Sequence, residues 1–158
     1  MIARIPLPKG PANQLPDRIV VHAMAEYITH EGREYHAVDY LRMLGLSAHS
    51  LITPSGVRIR CRRENQGAWH AKGYNTNSLG VEVLVPGVHD YESFLDFIQH
   101  DYMMPSQYEA VVDQALDWIG DYDILHIDRH SDIDPTRKKD PGDGFPWNRF
   151  LLDIGWKL

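Results

Sequence analysis

The chain of 158 residues has a single cysteine, Cys61, so it cannot form an internal disulfide, and the stapled scaffolds of small secreted proteins are excluded. Basic side chains number 16 against 22 acidic ones, which is too little positive charge for sequence-independent nucleic-acid binding. No apolar run approaches the ~20 residues that span a membrane. We therefore expect no nucleic-acid partner and no stable membrane association.

The N-terminal residues lack the apolar segment of a signal peptide, so we expect synthesis in the cytoplasm. No repeat or linker divides the chain, and its length predicts one domain over residues 1–158, with an irregular segment rich in Pro and Gly at 1–16. We expect this domain to be a monomer. Histidine is abundant, with nine copies, which favours metal binding or acid/base chemistry.

Apolar periodicity divides the chain into strands and helices. Short β-branched or alternating runs predict strands at 18–23, 49–53, 57–61, 79–85 and 123–128, of which the second and third form a hairpin. Helices are predicted at 34–44, stopped by Gly45, from Asp90 onward, and up to Gly120 from a capping box of Ser106 and Glu109. This order predicts the α/β class, as a single three-layer domain with a central mixed β-sheet flanked by helices.

Two predicted strands end in a histidine, His22 and His130, and Asp140 follows in a loop rich in Pro and Gly. Two imidazoles and one carboxylate, with a fourth position open for water, are the ligand types of a catalytic zinc site. Histidines at strand ends are more often hydrogen-bonded surface residues, however, and an Asp before Pro-Gly more often begins a turn. The spacing by itself leaves a metal site and an ordinary turn both open.

Five segments, taken together and in order, resemble the zinc-dependent N-acetylmuramoyl-L-alanine amidases of type 2. This family includes phage endolysins, peptidoglycan-recycling amidases and peptidoglycan recognition proteins. The segments lie at 19–22, 47–52, 68–71, 77–82 and 130–142. The resemblance extends from about residue 18 to about residue 150 and implies a mixed sheet flanked by helices, with a zinc cleft at one edge of the sheet.

The resemblance implies a role for each residue of a catalytic group. The Zn²⁺ ligands would be His22, His130 and Asp140. Glu82 matches the family glutamate that takes the proton of the attacking water, and Lys138 matches the lysine that faces the scissile carbonyl oxygen. Without the resemblance, Lys138 would be a solvated loop residue and Glu82 an ion-pair partner on a strand. Lys139 would point away from the metal.

The resemblance also implies a group of substrate-binding residues. His70 matches a residue of the family's cleft, and His49 is expected nearby, although either could be a buried structural histidine. Trp69 and Asn77 could line a groove for sugar and peptide, or simply pack. Some phage members carry a tyrosine at the position of Ala48 and use it beside the metal, so here the role of the base is assigned to Glu82.

The implied activity is hydrolysis of the amide bond between N-acetylmuramic acid and L-alanine in peptidoglycan. A phage-type endolysin, made in the host cytoplasm, would reach the wall after membrane permeabilisation, and residues 72–78 favour this role. Glu82 and the spacing from His130 to Asp140 instead favour a cytoplasmic amidase that recycles anhydro-muropeptides. An alternative from another class is a peptidoglycan-binding module without activity, which the complete set of metal, base and oxyanion residues disfavours.

Overall fold

The computed structural model describes residues 2–157 and has a mixed β-sheet at its centre. Over this range the sheet has seven strands: β1 Ile2–Arg4, β2 Arg18–His30, β3 Arg33–His36, β4 Ser50–Ile52, β5 Arg58–Arg60, β6 Ser78–His89 and β7 His126–Arg129. The strand order is β1-β5-β4-β6-β2-β3, and β7 also pairs with β2. The pairs β2 with β3 and β4 with β5 are antiparallel, and the other pairs are parallel.

The helices cover both faces of this sheet. They are α1 Ala37–Leu44, α2 Tyr91–Phe97, α3 Pro105–Asp121, α4 His130–Ile133 and α5 Trp147–Asp153. One core packs α1 against Leu51, Ile59 and Leu84, and the other packs α2, α3 and α5 against the opposite face. The predicted α/β class with a central mixed sheet is therefore confirmed. Within residues 2–157, no helix is both long and apolar enough to cross a membrane.

The two long central strands present different side chains to the two faces, because successive residues of a strand alternate. On β6, Leu79, Val81, Val83 and Val85 join the core of α2 and α3. The even-numbered residues turn toward the α1 face, where Leu84 joins the second core. Polar residues at even positions of β2 and β6 therefore lie together on the α1 face.

Several strand boundaries differ from the prediction. Residues 2–4, predicted to be irregular, form β1 because they pair with β5. His22 lies inside β2 rather than at its end, since residues 24–30 continue to pair with β6 and β3. Likewise β6 does not end at Val85. It continues through Pro86 and Gly87 because the register with β2 shifts there.

Helix boundaries were predicted more closely, with two corrections. Helix α1 begins at Ala37 and not at Glu34, since residues 33–36 form β3, and Gly45 ends it in the predicted left-handed conformation, with φ 69°. Helix α3 begins at Pro105, and its N-cap is Met104, which makes no side-chain hydrogen bond. The predicted capping box of Ser106 and Glu109 is therefore wrong, because proline occupies the first helical position. Helices α4 and α5 were not predicted.

Candidate active site

Three buried side chains from distant parts of the chain converge where β7 ends beside the middle of β2. Their ligand atoms, from His22, His130 and Asp140, all lie within 4.8 Å of one another. The Nδ1 atoms of the two histidines are 2.9 Å apart, and the Asp140 carboxylate lies 3.2 Å from His130 Nδ1 and 3.5 Å from His22 Nδ1. Ligand atoms around a tetrahedral zinc are about 3.3 Å apart, so the cluster has the dimensions of a metal site.

The topology explains why His22 and His130 meet. Strand β7 runs parallel to β2, and Val21 is the partner of Arg129, so the next residues of the two chains, His22 and His130, are neighbours. His130 follows β7 directly and begins α4. The strand pairing, rather than any proximity in sequence, brings the two imidazoles together.

Asp140 is held by a loop that is anchored at several points. Its carboxylate accepts a hydrogen bond from the Ala23 amide at 3.2 Å, and its carbonyl accepts one from the Ser131 amide at 3.0 Å. The Tyr102 hydroxyl donates to the carbonyl of the next residue, Pro141, at 2.8 Å. Gly144 allows the loop to pack closely against His100, because an added Cβ there would lie 1.9 Å from the His100 carbonyl oxygen.

Burial and contacts within the cluster set the charges of His22 and Asp140. It lowers the pKa of His22 to about 4, although the Asp140 carboxylate opposes this shift. Burial alone would raise the pKa of Asp140, but contacts with His130 and His22 outweigh it, and that pKa is lowered. Neutral imidazole and ionised carboxylate are the forms that bind metal ions. The three residues therefore fit a metal such as Zn²⁺ in type and burial, and His22 and Asp140 also fit it in protonation.

Glu82 lies beside this cluster on β6, where its register partner in β2 is His22. The side chain is buried, and its Oε1 has no hydrogen-bond partner among residues 2–157. Burial, together with the negative charge of Asp140, raises the pKa of Glu82 well above its usual range, while Lys138 opposes the shift. A buried carboxylate oxygen without a partner is costly unless something binds it, which is consistent with a water or substrate site.

The cluster lies in a cleft of about 670 Å³. Its apolar and aromatic lining comes from α1 and the loop that follows it, from the 69–71 segment and from α2, and includes Tyr40, Leu41, Leu44, Leu46, Trp69, Tyr91, Phe94 and Leu95. Trp69, 43% exposed, lies where a substrate-binding residue was predicted. Lys138 is half-buried in the cleft lining. Lys139 is exposed and also borders the cleft, and its expected orientation away from the metal stays a prediction.

The other predicted substrate-binding residues require correction. His49 is fully buried. Its Nδ1 accepts a hydrogen bond from the Gly80 amide at 3.0 Å, and its Nε2 donates one to the Gln66 carbonyl at 2.7 Å. It therefore joins backbone segments and has no free atom for substrate. Asn77 is absent from the cleft lining within the described chain, where Asn75 is present instead.

His70 reaches the cleft, but both of its ring nitrogens are engaged. Nδ1 lies 2.8 Å from His22 Nε2, and Nε2 lies 2.9 Å from the Ser78 hydroxyl. The ring therefore contacts a candidate metal ligand rather than offering a nitrogen to substrate. The sequence analysis did not single out Ser78 and Gly80 as functional, although both alternate with Glu82 on the same face of β6, and that period of two was a readable signal.

This chain is similar in sequence and in fold to known amidases. The 1,6-anhydro-N-acetylmuramyl-L-alanine amidase AmpD of Enterobacter cloacae is 32% identical over 117 residues, which are 68% of this chain and 56% of AmpD. The N-acetylmuramoyl-L-alanine amidase LysC of Clostridium intestinale superposes with a TM-score of 0.74 at 20% identity, covering 99% of each chain. Escherichia coli AmiD, solved with anhydro-N-acetylmuramic acid-L-Ala-D-gamma-Glu-L-Lys, gives 0.66 at 22% identity, covering 96% of this chain and 60% of AmiD.

The curated relatives are matched over only part of their length. The aligned segments span 34% to 59% of the length of the curated relatives. The match to the family itself is wider, since it covers residues 12–143 and includes every residue of the candidate site. The chain therefore belongs to the N-acetylmuramoyl-L-alanine amidase family.

Proposed function

We propose that this protein is a zinc-dependent amidase that hydrolyses the amide bond between N-acetylmuramic acid and the L-alanine of peptidoglycan. The observation that carries the proposal is the buried cluster of His22, His130 and Asp140, which lies in the cleft together with Glu82 and Lys138. Family membership supplies the substrate class, and the cluster supplies the chemistry.

The metal ligands would be His22, His130 and Asp140, a set with two imidazoles and one carboxylate that suits Zn²⁺. Bound there, Zn²⁺ would acidify a water ligand and polarise the scissile carbonyl group. The side chain of Glu82 has a matching task. Its unpartnered Oε1 accepts a proton from the attacking water and returns it to the departing alanine nitrogen, so that a carboxylic acid and an amine are released.

Lys138 supplies positive charge beside the same cluster. Its ammonium group lies in the cleft lining and tends to lower the pKa of both Glu82 and His22. Such a fixed charge stabilises the negative charge that develops on the carbonyl oxygen when water adds to the amide. Lys138 is therefore the residue of this chain proposed to stabilise the oxyanion, with Trp69 available to cover an apolar sugar face.

We propose a phage-type endolysin as the biological role, based on the resemblance of residues 72–78 to small phage amidases. The protein would then be made in the host cytoplasm and act on the wall after membrane permeabilisation. A specific observation favours a second candidate, an amidase that recycles soluble anhydro-muropeptides, since the relative AmpD is 32% identical over 117 residues. The two roles differ in substrate, because one requires intact wall and the other a soluble fragment.

The test is zinc content together with amidase activity on purified sacculi and on an anhydro-muropeptide, for wild type and His130→Ala. The control is His126→Ala, which removes an exposed histidine of β7. We expect about one zinc per chain, release of new amino termini, and loss of both only in His130→Ala. Cleavage of the soluble fragment alone would replace the endolysin role with recycling. A folded protein that binds peptidoglycan but holds no zinc and cleaves neither substrate would overturn the proposal.

A further inference from the structure

A chain of hydrogen bonds leads from the backbone of the 70–78 segment to the candidate metal ligand His22. The Ser78 hydroxyl donates to the Tyr74 carbonyl at 2.6 Å and lies 2.9 Å from His70 Nε2. On the other side of the ring, His70 Nδ1 lies 2.8 Å from His22 Nε2. His22 Nδ1 then faces His130 and Asp140. Three side chains, those of Ser78, His70 and His22, therefore connect a main-chain carbonyl to the other two members of the metal cluster.

The position of each proton in this chain follows from its first member. A carbonyl oxygen can only accept, so the single hydroxyl proton of Ser78 is committed to Tyr74. The Ser78 oxygen must then accept from His70, which places the His70 proton on Nε2 and leaves a lone pair on Nδ1. His70 Nδ1 accepts in turn from His22 Nε2. A neutral His22 therefore carries no proton on Nδ1, the nitrogen that faces the metal cluster.

We propose that His70 and Ser78 are positioning residues that hold His22 in the tautomer required for metal binding, with the proton on Nε2 and Nδ1 free. This inference rests on the proposed metal site, and it assigns to His70 a role other than substrate binding. Histidine ligands commonly donate their second N–H to a fixed acceptor, which sets both the tautomer and the ring orientation. Here the acceptor is a second histidine, which is itself fixed by a serine.

Neighbouring residues fix the position of the His70 ring. Gly80 lies below the ring, where an added Cβ would come within 2.5 Å of His70 Nδ1, so only glycine leaves enough room. The Asn75 side-chain oxygen accepts from the amides of His70 and Ala71 at 3.0 and 2.9 Å, which fixes the turn that carries the ring. Ser78 and Gly80 are two residues apart on β6 and therefore face the same side. Every contact in this chain of hydrogen bonds, from Tyr74 to His22, is made within residues 22–80.

The first experiment measures Zn²⁺ affinity of the full chain by competition with a chelator. Loss of an outer partner of a ligand weakens metal binding by about 10- to 100-fold, and we expect this loss for His70→Leu. In His70→Asn the amide oxygen can occupy the position of Nδ1 and accept from His22, so we expect most of the affinity to return. His126→Leu is the matched control, because it removes an exposed histidine from β7 and should bind as wild type does.

The two substitutions at one position separate positioning from packing. If His70 only filled space, asparagine would leave the larger cavity, and its affinity would be no better than that of the leucine variant. Unfolding temperatures of all variants show whether each one is folded. If His70→Leu does not fold, Ser78→Ala replaces it, since this change removes only the oxygen that orients His70. Wild-type affinity in every folded variant would overturn the proposal.

The second experiment reads the tautomer directly, by nitrogen-15 NMR of the histidine rings in the full chain before and after Zn²⁺ is added. We expect His22 to carry its proton on Nε2 before any metal is present, and to lose this preference in Ser78→Ala or His70→Leu. A proton on His22 Nδ1 in the metal-free wild type would refute the proposed chain of hydrogen bonds. Because this readout needs no bound metal, it decides the inference even if the wild type binds no zinc and the proposed function fails.

Discussion

Glu82 and His22 are register partners in the parallel pairing of β6 with β2, so the proposed base and a candidate metal ligand occupy adjacent positions on one face of the sheet. The pairing is long, and continues on both sides of these two residues. Backbone hydrogen bonds of the central strands therefore fix the distance between them. Rigid strands place catalytic groups more accurately than loops do.

We predict that Glu82→Gln reduces amidase turnover by about 10²- to 10⁴-fold, because an amide cannot accept the proton of the attacking water. Zinc content should not change, since Glu82 is not among the candidate ligands. Turnover and bound zinc are measured on the same preparation. Glu109→Gln, on the exposed side of α3, is the control. Near-normal turnover of the Glu82 variant would remove this residue from the mechanism.

Lys138 and its neighbour Lys139 provide a matched pair. Lys138→Met should lower kcat by about 10²- to 10³-fold, the usual cost of removing a group that stabilises an oxyanion. Lys139→Met should change kcat by much less, because Lys139 is exposed while Lys138 is half-buried in the cleft lining. Steady-state kinetics on one soluble substrate make the comparison. Equal losses in both variants would indicate a general effect of positive charge.

Substitution by alanine should weaken zinc binding at Gly80 and stabilise the fold at Gly120. Gly80→Ala places a Cβ within 2.5 Å of His70 Nδ1, so the ring must move, and we expect Zn²⁺ affinity to fall by about 10-fold or more. A Cβ added to Gly120 in α3 would meet no atom of residues 2–157 within 4 Å beyond the backbone of its own helix, so Gly120→Ala should raise the free energy of unfolding by about 0.5–1 kcal/mol. Chelator competition and urea unfolding test these outcomes. Unchanged zinc affinity in Gly80→Ala would contradict the assigned function of that glycine.

Buried His49 should make the fold sensitive to mild acid. Burial lowers its pKa from 6.5 to about 4, so between these values the unfolded chain binds the proton and the native state does not. Stability due to this residue is complete above about pH 6.5 and falls with pH, by about 2 kcal/mol at about pH 5.

Urea unfolding of the metal-free protein at about pH 8 and about pH 5 measures this contribution. In His49→Asn the side-chain oxygen can still accept from the Gly80 amide, and no titrating group remains at this position. The loss of stability between the two pH values should therefore be smaller than in wild type. His22 and His70 still contribute to the slope, because burial lowers both of their pKa values. An identical slope in the variant would show that His49 does not titrate in this range.

Local patterns predicted most elements of the fold but not their limits. The apolar stripe of α2, the hairpin of β4 and β5 and the glycine that ends α1 are short-range features, so the sequence displays them. Strand β1 forms because it pairs with the distant β5, and the second half of β2 pairs with the distant β6 as well as with its sequence neighbour β3. Such pairing energy is not visible in a window of residues, and it outweighs local signals such as Pro86-Gly87.

The candidate site was predictable to a different degree. The spacing of His22, His130 and Asp140 left a metal site and an ordinary turn both open, and the resemblance to a family favoured the metal. The structure brings the three together through the pairing of β7 with β2. The contacts of His49 and His70 could not be predicted, because they depend on which way each ring faces. Only the hydrogen-bond partners of each ring nitrogen reveal that.

Ser78, Gly80 and Glu82 occupy alternate positions on one strand, and this has a consequence for how the site can change by mutation. Insertion of one residue into the turn before Ser78 that shifts the register of β6 would turn all three toward the opposite core. The anchor of His70, the space for its ring and the proposed base would disappear in one genetic event.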